Sequence, residues 1–327
     1  MTAMPAPYQT ELQVAIAAVI DAAHVCRSVQ RQMGADSLAK KDQSPVTVAD
    51  FASQALICHQ IHQTFPNDPI VGEEDARDLR DPGQAEFVER LLKEIHLAGK
   101  PDCTTNQLLD WIDSGNHDAT GSRYWTLDPI DGTKGFLRKE QFAISLALLI
   151  DHQIQVAALA CPNLPFQQST GAVYFAVKGQ GAFAIPIDEP GAEPIRVQVS
   201  AVADPASARL CESVESGHSS HGESASIQQQ LGMQGEPVRM DSQAKYAAVA
   251  SGTAEVYLRL PTRPGYEEKI WDHAGGVLVL EEAGGKVTDI NGSPLDFAQG
   301  STLKSNRGVV ASNSLLHEKV IAALQSR

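Results

Sequence analysis

Paired cysteines are missing from this 327-residue chain: Cys26, Cys58, Cys103, Cys161 and Cys211 are odd in number, far apart and never in a C-x-x-C pair. That argues against a disulfide framework and for a reduced, cytoplasmic compartment. A zinc ligand set is missing too. His218 and His221 in GHSSH have neither a cysteine nor a third histidine at suitable spacing. Long apolar runs are scarce. The longest early one, Val14 to Ile20, follows Glu11 rather than a basic stretch and falls short of the roughly 20 residues a membrane span needs. Neither a signal peptide nor a membrane anchor is expected. Clusters of Lys and Arg are also absent: 26 basic residues stand against 40 acidic ones, a net charge of −14. Such a field repels nucleic-acid polymers and anionic membranes. A small phosphorylated ligand is compatible with it only where bound cations reverse the local sign. No internal repeat or low-complexity tract is present.

What is there is an ordinary globular composition, 43% hydrophobic and 20% charged. The length exceeds the usual domain size of about 100–200 residues, so two domains are expected. Leu12, Ile16, Val19, Ala23 and Cys26 recur at helical spacing, which predicts an amphipathic first helix. A second is predicted from about Val48 to Phe65, ended by Pro66, with Asp50 in its first turn. Residues Arg77 to His117 are polar and irregular; a helix near Ala85 to Ala98 and then a loop are expected there. From Tyr124 to Phe183 the runs YWTL, FAISLALLI, IQVAALAC, AVYFAV and GAFAI, separated by turn residues, predict a mostly antiparallel sheet. IPIDEPGAEP reads as a hairpin loop, since IRVQVS follows it at once. The better boundary is SAVADPAS, after which strand and helix patterns alternate. This divides the chain into an α+β part over 1–204 and an α/β part over 205–327.

The chemistry concentrates in acids. In YWTLDPIDGT, Asp128 and Asp131 follow an apolar strand, are held by Pro129 and precede Gly132, so both side chains can turn towards one point at the strand's carboxyl end. Two like charges held together are costly unless a cation offsets them. Hard carboxylate oxygens, with a backbone carbonyl such as that of Ile130, suit Mg²⁺. VTVADFA adds Asp50, IVGEEDA adds Glu73 and Glu74, and EKIWDHAGG adds Asp272.

Taken in order, D…GEE…LDPIDGT…WDHAGG resembles the signature of the lithium-sensitive, magnesium-dependent phosphatases related to inositol monophosphatase and fructose-1,6-bisphosphatase. Within them, ACPNLP, ESGHSSH, MDSQAKYAAVASGTAEVYLRLP and YEEKIWDHAGG resemble the 3′(2′),5′-bisphosphate nucleotidases. The resemblance covers nearly the whole chain and implies a five-layer αβαβα fold with the active site between the two parts. It implies that Glu73, Asp128, the Ile130 carbonyl, Asp131 and Asp272 ligate two or three Mg²⁺ ions, with Asp128 bridging. It implies that Asp50 and Thr133 prepare the attacking water. Ser242, Lys245, Arg259 and His218 match positions that hold the nucleotide, Thr133 and Asp272 also facing it. The implied substrate is 3′-phosphoadenosine 5′-phosphate, with its phosphosulfate analogue, acted on by a monomer. An inositol phosphatase sharing the metal set is the alternative, and a non-catalytic nucleotide sensor a remote one. Whether Glu74 supports the water is open. One departure stands out: Gly275 follows Ala274 where the family often has alanine, which loosens a helix start by roughly 0.5–1 kcal/mol.

Overall fold

The computed structural model describes residues 7–33, 45–214, 221–261, 263 and 265–326. Two sheets organise them. The first has seven strands in sequence order: β1 (Ile70–Gly72), β2 (Arg123–Asp131), β3 (Ala143–Ile150), β4 (Gln153–Phe166), β5 (Ser169–Val177), β6 (Ala182–Pro186) and β7 (Ile195–Val197). Every pairing is antiparallel except that of β1 with β2. The loop from β6 to β7 is the hairpin expected of IPIDEPGAEP. The second sheet runs β11-β12-β10-β8-β9, built from β8 (Leu210–Glu212), β9 (Val238–Arg239), β10 (Val256–Arg259), β11 (Lys286–Thr288) and β12 (Val309–Ser312).

Side-chain alternation along the strands sorts the molecule into layers. Trp125, Leu127, Ile144, Leu146 and Leu148 face one core, shared with the helices α1 (Gln9–Gln32) and α2 (Pro45–Thr64). Their neighbours Tyr124, Ala143, Ala147 and Leu149 face a second core, filled by α7 (Ala244–Ala250) and α8 (Ala274–Glu282). Leu210, Leu258 and Val310 on the far side of the second sheet meet α6 (His221–Gln230) and α9 (His317–Gln325). The order is helix, sheet, helix, sheet, helix, as the resemblance implied. Because both faces of β3 are covered, its sequence is a continuous apolar run.

Two expectations change. α2 begins at Pro45, a residue suited to the first helical position, so Asp50 lies in the second turn rather than the first. After α3 (Ala85–Leu97) comes not a loop alone but α4 (Thr105–Asp113). Thr104 and Gln107 cap it reciprocally, and Leu108, Leu109 and Ile112 are buried. α1 is long and apolar enough to cross a membrane, the one such helix among the described residues. Its Ala15, Ala18, Val19, Ala22 and Cys26 are buried in the first core.

Candidate active site

Residues three apart on a regular strand point to opposite faces. Asp128 and Asp131 do not follow that rule, because β2 is irregular between them. Asp128 pairs with Ser145 and Asp131 with Ala143, three steps on β2 against two on β3. The extra residue is a bulge, which turns both carboxylates towards one cleft. Ser53 of α2 pins it, its hydroxyl donating to the Pro129 carbonyl at 2.9 Å, while the Ile130 side chain is buried in the first core. Gly132 follows with φ +91°, a conformation that favours glycine, and a Cβ there would lie 2.8 Å from the Ser242 Cβ. The strand end and the Ser242 segment therefore approach as closely as backbone permits.

The cleft, about 440 Å³, is lined by Glu73, Asp128, Ile130, Asp131, Thr133, Arg259 and Asp272 among others. Glu73 follows β1 directly, and Asp272 lies two residues before α8. Glu73 is exposed by surface area yet hemmed in by protein on its other sides. That enclosure, then Asp272, Glu74 and Asp131, push its carboxyl up to about 8, against a hydrogen bond with Asp128 that lowers it. Asp128 is 1% exposed and its Oδ1 has no hydrogen-bond partner. Burial first, then Glu73, Asp131, Asp272 and Asp50, hold it well above the usual carboxylate range. Asp50 is raised likewise by burial, then by Glu74 and Glu73. Crowded carboxylates around a buried, unpartnered oxygen are the donor set a hard divalent cation satisfies. The residues fit a metal.

Thr133 starts the short helix α5 (Thr133–Leu137) and is exposed at the cleft. Asp50 is buried and is not among the residues lining the cleft, and the structure records no hydrogen bond between it and Thr133. Arg259, at the end of β10, is committed: its Nη2 lies 2.7 Å from Glu268 and 3.0 Å from Asp272. Burial pushes the Glu268 carboxyl up, but Arg259 and His273 outweigh it and hold it at about 2. His273 Nε2 is 3.3 Å from Glu268, and Tyr246 Oη lies 2.8 Å from His273 Nδ1. Lys245, in the first turn of α7, is 3% exposed. Its ammonium donates to the Met240 carbonyl at 3.4 Å and sits 5.2 Å from the centre of the Tyr257 ring. Ser242 adopts φ +70°, and its hydroxyl accepts from the Ala244 amide at 3.1 Å. His218 lies outside the described residues.

The family model described as "Inositol monophosphatase family" matches residues 8–327. The chain belongs to that family. It is 44% identical over 336 residues to the 3′(2′),5′-bisphosphate nucleotidase of Schizosaccharomyces pombe, covering 97% of this chain and 95% of that one. It is 42% identical over 349 residues to the protein of the same name from Emericella nidulans, covering 97% and 98%. Among solved structures, the inositol monophosphatase of Anabaena superposes with a TM-score of 0.65 at 23% identity, covering 98% of this chain and 97% of that one. That likeness shows the fold.

The family signature names the acids but not what holds them. Gln54, wholly buried on α2, accepts from the Glu74 amide at 3.0 Å and donates to the carbonyls of Glu74 and Ile112. It fixes the GEE segment between α2 and α4. Glu268, which orients Arg259, was equally silent in the sequence: an acid in the polar run YEEK gives no sign that it is buried. Gln243 is the third such residue.

Proposed function

We propose that the chain is a Mg²⁺-dependent phosphatase removing the 3′-phosphate of 3′-phosphoadenosine 5′-phosphate, and of its phosphosulfate analogue, to leave the 5′-phosphorylated nucleoside. The observation that carries this is the acidic cleft around the unpartnered Oδ1 of Asp128; the relatives' names supply the substrate class. Glu73, Asp128, the Ile130 carbonyl, Asp131 and Asp272 would hold two or three ions. Bound Mg²⁺ polarises phosphate oxygens and lowers the pKa of a bound water towards neutrality.

The chain's own residues do the rest. Asp50 is the proton acceptor, with the Thr133 hydroxyl placed at the cleft to orient the water. Arg259 presents a planar fork whose position Glu268 fixes, suited to phosphate. Lys245, buried behind Tyr257, contributes a positive potential more than a contact. Ser242 and His218 complete the nucleotide side. The 1–204 part supplies most metal ligands and the 205–327 part supplies Asp272 and the nucleotide side, all within one chain, so a monomer suffices. Five buried, free thiols support a cytoplasmic setting.

Phosphate release from 3′-phosphoadenosine 5′-phosphate, its phosphosulfate and a set of inositol phosphates tests the reading. The expected result is a marked preference for the nucleotides and activity that requires Mg²⁺. Equal efficiency on inositol phosphates would favour the inositol phosphatase reading, and nucleotide binding without hydrolysis would favour the sensor.

A further inference from the structure

Asp131 ends β2 of the first sheet and Asp272 lies in the turn before α8, yet a cation they share requires a fixed separation between them. Gln243 touches both segments. It stands just before α7, and its main-chain amide donates to Asp131 Oδ2 at 2.6 Å. Its side chain, 2% exposed, donates through Nε2 to the carbonyl of Trp271, the residue before Asp272, at 2.9 Å. Its Oε1 accepts from the Ser145 hydroxyl on β3 at 3.0 Å and from the Gly276 amide in α8 at 3.4 Å. One buried amide thus links the first sheet, the turn carrying Asp272 and the first turn of α8.

Gly275 belongs to the same arrangement. A Cβ at that position would fall on the Ser145 Oγ. The glycine that departs from the family's alanine therefore leaves room for the hydroxyl that holds Gln243.

We propose that Gln243 is a positioning residue that sets the distance between the Asp131 and Asp272 carboxylates, with Ser145 and Gly275 as the pair that holds its amide in place. This rests on the metal reading above. Residues that orient metal ligands are typically worth about 10–100-fold in metal affinity. Gln243→Leu keeps the bulk and the main-chain amide but removes every side-chain hydrogen bond.

The test is Mg²⁺ titration of the purified full-length protein by calorimetry, with nucleotide kinetics and thermal melting of the same samples. Gln243→Leu is expected to weaken the lower-affinity Mg²⁺ by about 10-fold or more and to lower kcat, leaving KM for the nucleotide within about twofold. Gly275→Ala should weaken the same ion, and adding Ser145→Ala to it should cost nothing further, because the hydroxyl's bond is already broken. If Gln243→Leu does not fold, Ser145→Ala, which deletes a single hydroxyl, carries the test through the same loss of Mg²⁺ affinity. Folded variants that bind Mg²⁺ as the unmodified protein does would overturn the role of Gln243. Asp272→Asn separates the two failures: if it loses the ion while Gln243→Leu keeps it, the metal reading stands and the positioning role falls. If Asp272→Asn binds Mg²⁺ unchanged, the metal reading itself is wrong.

Discussion

Replacing Asp128 by asparagine should destroy activity while stabilising the metal-free protein. Asp128 is 1% exposed, one of its oxygens has no partner, and Glu73, Asp131, Asp272 and Asp50 all disfavour its charge. The amide has nearly the same shape, so no cavity opens. It removes the most crowded charge and offers an N–H to Glu73, which already shares a hydrogen bond with this side chain. A hydrogen bond to a charged group is worth about 1.5–3 kcal/mol. For a chain of this length that corresponds to a melting temperature raised by on the order of 3–6 °C. The gain should be largest near pH 8 in chelator and should shrink towards pH 5, where the acids regain their protons. Turnover at saturating Mg²⁺ should fall below about a tenth of the unmodified rate, since the bridging ligand loses its charge. Calorimetric melting and phosphate release on the same preparation give both numbers. A variant that is less stable without metal, or one that keeps most of its turnover, would refute the reasoning.

The Glu73 carboxyl, at about 8 in the folded protein against an ordinary 4.5, holds a proton that the unfolded chain has already released across that window. Its contribution is present at low pH and lost as pH rises through 8, so the metal-free protein should melt lower at about pH 8.5 than at about pH 5.5, with Mg²⁺ flattening the slope; melting that rises with pH in chelator would contradict this. Arg259→Ala breaks contacts of 2.7 and 3.0 Å with Glu268 and Asp272 and should lower kcat/KM for the nucleotide by about 10–100-fold. An equal loss on an inositol phosphate would deny Arg259 a nucleotide-specific role. Thr104→Ala removes the reciprocal cap of α4 and should cost about 1 kcal/mol of stability in denaturant melts with kcat unchanged; a fall in kcat would show that α4 is coupled to the cleft.

Much of the fold was legible because burial is written in sequence period. Leu12, Ile16, Val19 and Ala23 mark α1, and the run FAISLALLI marks a strand covered on both faces. α4 was missed for a physical reason. Only nine residues long, it presents little more than one apolar stripe of Leu108, Leu109 and Ile112, and its start is set by Thr104 and Gln107, polar residues that look like loop in a polar stretch. The early start of α2 was missed similarly, since Pro45 reads as an interruption unless the helix begins there.

The acids of the site were legible by type and order, and Pro129 and Gly132 pointed to the convergence of Asp128 and Asp131, but the device that achieves it was not legible. Spacing alone sends Asp128 and Asp131 to opposite faces of a strand, and only the bulge in β2 reunites them. The cations were harder still, because sequence gives a charge without its partner. Arg259 reads as a free fork until Glu268 is found beside it, and Lys245 reads as a phosphate contact until its ammonium is found under Met240 and over Tyr257. These placements bear on the net charge of −14. Arg259 is shared between two carboxylates and Lys245 is withdrawn from the surface, which leaves Lys134 and Arg263 as the other basic residues lining the cleft. A phosphate brought to Glu73, Asp128, Asp131 and Asp272 meets acids all the same. The attraction it needs comes from ions held by those same acids, so the crowding that raises Glu73 and Asp128 is also what makes the cleft select a cation before it selects a nucleotide.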